Sequence, residues 1–319
     1  MIKTPRFWQT RNMLSTALLP LSVVYGVIVA AQQIFAGKPG SLSVPVICIG
    51  NLTAGGAGKT PAAIAIGSRL KEKGIPACFL SRGYGGKLAG PVLVNPRVHT
   101  AREVGDEPLL LAEILPTIVA KDRRLGALFA MESGANTIIM DDGFQNPSVT
   151  KTLSILVIDG VYGFGNGRLL PAGPLRELPV AGFERAQAVI VINPQSEIFF
   201  PPGLPVLTAH IEPGIKREAL AGKNVLAFCG MANPEKFFAT LSSLGANVIE
   251  KISFPDHYFY QESDIKKLSA RARKKQAMLV TTAKDAVRLT PEWKSLVVTV
   301  PITLTLNQPE MLDGLLDKA

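Results

Sequence analysis

The chain has 319 residues, enough for two domains of ordinary size, and its 47% hydrophobic and 18% charged content excludes a disordered chain. The net charge of +9 suits an anionic membrane surface or a phosphorylated substrate, and no basic block interleaved with aromatics supports a nucleic-acid partner. Cys48, Cys78 and Cys229 are too widely spaced for zinc and read as reduced, buried, structural residues of a cytosolic protein.

Lys3, Arg6 and Arg11 precede a stretch without charge from Asn12 to Gly37. Leu14 to Phe35 is mostly apolar, interrupted by Pro20, Gly26, Gln32 and Gln33, and matches the roughly 20 residues that cross a bilayer. A signal peptide, a full span, a soluble core helix and an in-plane helix all fit this pattern. The first two would carry the phosphate-binding loop that follows away from ATP. Residues 1–37 are therefore expected to form an interfacial, membrane-associated helix.

Val46 to Ile49 is a short apolar run before Gly50, as a buried parallel strand requires. A glycine-rich turn, then Lys59-Thr60-Pro61 and a helical pattern to about Lys73, complete the strand–loop–helix order of a P-loop. Small residues let backbone N–H groups point at phosphate oxygens, and the helix N-terminus adds its positive dipole end. Thr53, Ala54, Gly55, Gly56, Ala57, Gly58, Lys59 and Thr60 are thus the expected nucleotide-binding residues. Lys59 is suited to the β- and γ-phosphates and the Thr60 hydroxyl to Mg²⁺. Thr53 stands where the usual pattern has its first glycine.

Ala77 to Leu80 reads as a second strand, followed by Arg82 in a glycine-rich turn. Arg82 is either a holder of an anionic substrate group or a surface arginine. Asp106 precedes an apolar helical run from Leu109 to Leu115 and is either its N-cap or a general base; spacing alone favours the cap. Thr137 to Met140 is a strand ending in Asp141-Asp142, the arrangement of acids that holds Mg²⁺ beside a P-loop. An Asp-Gly turn is the plainer alternative. Ser154 to Ile158, Ala188 to Ile192 and Val206 to Ile211 are further strands, and Gly160 to Glu177 is a long glycine- and proline-rich loop. Within that loop Arg168 and Arg176 either face phosphate or are solvated.

Pro213-Gly214 marks a boundary, with a P-loop domain over 38–213 and a smaller α/β domain over 214–319. The latter has strands at Val225 to Phe228, Val248 to Phe254 and Met278 to Thr281, and a helix from Pro234 to about Leu244. His257 follows a strand end beside Asp256 and is either structural or functional. Lys284 is open to phosphate or to Asp285.

GNLTAGGAGKTP, SRGYGG, VGDEP, DDGFQN, LLPAGPLRE, FPDHY and TTAKD, in this order, resemble the tetraacyldisaccharide 4′-kinase family, the lipid A kinases of Gram-negative bacteria. The resemblance spans almost the whole chain. It implies a P-loop NTPase-type α/β/α sandwich facing a second, smaller α/β domain across a cleft, with a membrane-bound N-terminal helix. The implied reaction moves the γ-phosphate of ATP, with Mg²⁺, to the 4′-hydroxyl of an acylated glucosamine disaccharide 1-phosphate. It takes place at the cytoplasmic face of the inner membrane, and no obligate protein partner is implied. In the family pattern the catalytic residues are Lys59, Asp106 as base, and His257, which orients Asp106 and raises its basicity. This displaces the cap reading. Thr60, Asp141 and Asp142 take the metal, and Arg82, Asp142, Gln145, Arg168 and Arg176 the substrate side. Asn146 and Tyr258 stand where the family commonly has His, and Ala283 where it has Glu. A P-loop enzyme of a small metabolite, of the dethiobiotin synthetase type, and a partner-regulated P-loop ATPase are the competing readings; the apolar N-terminus speaks against the first.

Overall fold

A computed structural model describes residues 5–37, 39–195, 197–231 and 233–319; Lys3 lies outside the described residues. Eight strands follow one another first: β1 (Val46–Gly50), β2 (Ala77–Ser81), β3 (Val92–Leu93), β4 (Thr117–Val119), β5 (Thr137–Asp141), β6 (Leu153–Asp159), β7 (Ala188–Ile192) and β8 (Val206–Pro213). Then come β9 (Asn224–Cys229), β10 (Asn247–Ser253), β11 (Met278–Thr282), β12 (Val298–Val300) and β13 (Ile302–Leu306).

The larger sheet has nine strands in the order β13-β8-β7-β6-β1-β5-β2-β4-β3. Its interior pairs are parallel, and only the edge pairs β3–β4 and β13–β8 are antiparallel. Continuous apolar runs make this possible, because successive side chains point to opposite faces and both are covered. Ile47 and Ile49 pack with Ala62, Ile66 and Leu70 of the helix Lys59–Glu72 on one face. Val46 and Cys48 pack with Ala127 and Ala130 of the helix Arg123–Glu132 on the other. Asp122 starts that second helix by accepting from Arg124 and Leu125 N–H. The smaller sheet has four parallel strands in the order β10-β9-β11-β12, also with a core on each face. The three cysteines are free and buried.

The expected division at residue 214 needs a correction at its far end. β13 joins the larger sheet, pairing Leu304 with Ile211 of β8. The helix Pro309–Leu316 puts Leu312 and Leu316 into the same core as Ile66 and Leu70. The I-T-L-T-L alternation of β13 explains this, since it suits a half-covered antiparallel edge better than a parallel interior. Arg69–Asp313 and Lys73–Asp317 ion pairs link this helix to the one that starts at Lys59. The smaller sheet is therefore an insertion between β8 and β13. Its two connections lie side by side, with Gly214 N–H donating to Pro301 O at 2.8 Å.

The apolar N-terminal stretch is two helices, Met13–Ala17 and Leu19–Ile34, separated at Leu18 before Pro20. The second has 16 residues, about 24 Å at 1.5 Å per residue, short of the roughly 30 Å hydrocarbon layer. No helix among the described residues is long and apolar enough to cross a membrane. Both helices lean on the loop after β6 through polar groups. Ser15 Oγ of the first accepts from Arg168 NH1 at 2.8 Å, Ser22 Oγ of the second donates to Leu169 O at 2.9 Å and accepts from Ala172 N at 3.0 Å, and Trp8 Nε1, ahead of both, donates to Pro171 O at 2.9 Å. Leu21, Val23, Val24, Val27 and Ile28 face outward and are exposed.

Candidate active site

β1 ends against the phosphate-binding loop. Gly58 has φ +86°, and a Cβ there would sit 2.4 Å from Ile192 Cδ1, so both backbone and space demand glycine. Thr53 has no positive φ and forms an antiparallel bridge with Leu175, which is why a threonine fits in place of the usual glycine. Lys59 opens the helix Lys59–Glu72, with Nζ 3.2 Å from Asn51 Oδ1 and 3.7 Å from Asp142 Oδ1.

β5 lies beside β1 with Asp141 level with Ile49, so the acid stands next to the start of the loop. Asp141 is 2% exposed, and its Oδ1 has no hydrogen-bond partner. Burial above all, and then the Glu107 carboxylate, push its pKa up to about 7, against the pull of Lys59. Asp142 sits at φ 54° and accepts from Arg176 NH1 at 3.1 Å. Burial opposes its ionisation, but Lys59 and Arg176 outweigh that and keep its carboxyl below the ordinary range. An orphaned buried carboxylate oxygen beside the start of a phosphate-binding loop is a donor for a hard divalent cation. No group of three or more His, Cys, Asp or Glu side chains that could hold a metal occurs among the described residues. The set fits an ion that takes most of its oxygens from phosphate and water, as Mg²⁺ does in kinases.

Other expected substrate residues separate. Arg176 reaches Asp142 and Gln145. Gln145 braces the loop instead, donating to Asn51 O and to buried Glu177, both at 2.9 Å. Arg82 is exposed at the end of β2. Arg168 departs from expectation: its NH1 donates to Ser15 Oγ at 2.8 Å and Thr16 Oγ1 at 3.0 Å, so it holds the N-terminal helices. Asn146 caps a turn, accepting from Ser148 N and Oγ, and Tyr258 donates to Asp264 Oδ2.

Asp106 is the first residue of the helix Asp106–Ala112, and no side-chain cap bond forms there. Its carboxylate reaches across to the smaller domain. Oδ2 lies 2.6 Å from His257 Nδ1 and 2.6 Å from Arg288 NH2. Burial alone would raise the Asp106 pKa, but the His257 and Arg288 hydrogen bonds and the arginine charge overcome it and hold it at about 2. Arg288 is a partner of Asp106 that the sequence reading did not include. That arginine has no exposed side-chain surface and is anchored at Asp285 Oδ1 (3.0 Å) and Gly230 O (3.1 Å). Asp285 also accepts from Tyr260 OH at 2.8 Å and Thr282 Oγ1 at 2.6 Å. Lys284 pairs with Glu107 across the cleft at 3.6 Å, not with Asp285 or phosphate. The Glu107 carboxylate, next to Asp106 in sequence, acts electrostatically on Asp141.

The family model for Tetraacyldisaccharide-1-P 4′-kinase (LpxK) matches residues 14–319. A tetraacyldisaccharide 4′-kinase of Rhodospirillum rubrum is 47% identical, over 99% of this chain and 98% of its own length. One from Paramagnetospirillum magneticum is 44% identical over 99% and 98%. The structure of "apo" form LpxK from Aquifex aeolicus in complex with ATP superposes with a TM-score of 0.79 at 30% identity, covering 96% of this chain and 99% of that one.

Proposed function

The chain belongs to the tetraacyldisaccharide-1-P 4′-kinase family, and from that premise we propose which residues carry the reaction of this ATP-dependent kinase. It transfers the γ-phosphate of ATP to the 4′-hydroxyl of a tetraacyldisaccharide 1-phosphate, a lipid A precursor. The observation that carries the assignment is Lys59 held 3.7 Å from Asp142, beside buried Asp141 at the phosphate-binding loop, on a domain whose Asp106 bonds His257 of the other. Thr53 to Thr60 cradle the triphosphate, and Lys59 takes the β- and γ-phosphates. Asp141 and Thr60, with Asp142 adjoining, hold Mg²⁺, which neutralises charge developing on the phosphate oxygens. Arg176, fixed beside Asp142, and Arg82 are placed for anionic groups of the substrates. Asp106 and His257 act as a unit on the hydroxyl proton, brought together only when the cleft is closed.

The outward apolar face of the helix Leu19–Ile34 supports an in-plane membrane contact, with Arg6 and Arg11 near the headgroups. The cytoplasmic face of the inner membrane is the location this reading requires, because ATP is on that side. Labelled phosphate transfer from ATP to the lipid disaccharide tests the assignment. Lys59→Ala should abolish transfer and leave the circular dichroism spectrum unchanged. Turnover near that of the wild type in a folded variant would rule the loop out as the phosphate site.

A further inference from the structure

Two segments far apart in the chain meet on the loop after β6. On one side, residues 174–176 pair with the start of the phosphate-binding loop. Thr53 bridges Leu175 antiparallel, and Ala54 N–H donates to Pro174 O and Arg176 N–H to Leu52 O, both at 2.7 Å. On the other side the same loop holds the N-terminal segment. Asn166 N–H donates to Trp8 O at 2.7 Å, and Arg168 NH1 donates to Ser15 Oγ and Thr16 Oγ1. Ser22 Oγ accepts from Ala172 N–H and donates to Leu169 O. The two sides are one bond apart, since Leu175 N–H donates to Arg168 O and Leu170 N–H to Leu175 O. Ser15 and Ser22 are buried, on helices that otherwise expose large apolar side chains. A hydroxyl is costly to bury unless it is bonded, and both of these bond this loop.

We propose that Ser22 and Arg168 are positioning residues for the phosphate-binding loop, so that the N-terminal helices hold the ATP site in shape as well as meeting a membrane. The proposal rests on the reading that Thr53 to Thr60 cradle the triphosphate. A glycine-rich loop loses backbone freedom when it closes on phosphate, and Gly55 and Gly58 sit at φ 123° and 86°. Residues 174–176 fix Leu52 to Ala54, immediately before those glycines, and so remove part of that cost before ATP arrives. Residues 166–172 carry this short ladder, and on their far side they bond residues 7–22. Arg176, at the end of the ladder, also donates to Asp142, so the same segment bears on the acid beside Lys59. Coupling of this kind is reciprocal: what the helices do for ATP, ATP does for the helices.

In the full chain, Ser22→Ala removes both of its bonds to the loop and should raise the Kd for Mg-ATP, measured by calorimetry without lipid substrate, about fivefold or more. Arg168→Ala should do the same, and Arg168→Lys, which keeps a donor for Ser15, should fall between it and the wild type. In steady-state kinetics each variant should raise the KM for ATP, while kcat and the KM for the lipid disaccharide stay within about twofold. Unchanged ATP affinity in folded variants overturns the proposal, as does a fall in kcat alone. Should the variants not fold, the wild type carries the test. The amides of Asn166 and Ala172 are bonded to Trp8 O and Ser22 Oγ, and their hydrogen exchange should slow when Mg-ATP binds. Exchange indifferent to nucleotide overturns the proposal. Lys59→Ala separates this proposal from the reading beneath it. If Lys59→Ala binds ATP and transfers phosphate normally, the loop is not the phosphate site. If it fails while Ser22→Ala binds ATP as the wild type does, the loop stands and the helices do not position it.

Discussion

Arg288 joins two carboxylates from two domains with one planar fork. A lysine offers a single compact charge and cannot reproduce that geometry. Arg288→Lys should therefore lower kcat about tenfold or more and leave the KM for ATP near its wild-type value, read from steady-state kinetics. Arg288→Ala leaves Asp106 and Asp285 buried and short of a partner, at about 3–5 kcal/mol, and should show as a large fall in melting temperature. The acidity of Asp106 has its own signature. Its folded pKa of about 2 lies below the ordinary aspartate value, so the stabilisation is complete above about pH 5 and is lost as pH falls through about 2. It amounts to roughly 2 kcal/mol. Acid titration followed by circular dichroism should show a shallower loss of stability for Asp106→Asn than for the wild type. Asp106 and His257 were singled out only through the family resemblance of VGDEP and FPDHY, since spacing alone favoured a helix cap for the first and left the second open. Arg288 was not, because its meaning is a contact 182 residues away, and locally it is only an arginine three positions after an aspartate. The same blindness misplaced Arg168, whose hydroxyl partners lie in the N-terminal helices.

The N-terminal helices invert the usual arrangement of a surface helix. Ser22, Gly26 and Gln33 face the protein, and a Cβ at Gly26 would meet Leu169 Cδ1 at 2.8 Å. Val24 and Val27, 56% and 64% exposed, lie on the outer side. Val24→Asp with Val27→Asp should abolish co-sedimentation with anionic vesicles and leave the melting temperature within about 1 °C, since exposed positions contribute little to folding. Unchanged sedimentation would show that this face is not the membrane contact. The polar stripe at Ser22, Gly26 and Gln33 has helical spacing, so the side turned to the protein was readable in principle. The interior strands were the most legible elements, because burial on both faces demands unbroken apolar runs. The short edge strand Val92–Leu93 has no such pattern and could not be read.

The molecule as a whole is an inserted domain on two adjacent connections. His257, Lys284 and Arg288 of the inserted domain meet the start of the helix Asp106–Ala112, with Val287 packing beside Val104 and Leu109. The return of β13 escaped the sequence reading because an antiparallel edge across such a separation leaves only a local alternation. Deleting residues 302–319 removes Leu304, Leu312 and Leu316 from the core, each worth about 1.5–3 kcal/mol, a sum comparable to a domain's whole stability. It also leaves β8 as an open edge. Such a truncation should yield aggregated protein on size-exclusion chromatography. Synthesis on the ribosome faces the same order of events. When β8 emerges, its partner strand does not yet exist, and at about 5–20 residues per second the intervening domain takes roughly 5 to 20 seconds to be made. During that interval the nascent nucleotide-binding half carries an open strand edge, a natural client for a chaperone. A message cut short anywhere inside the inserted domain yields a chain whose β8 edge never meets β13.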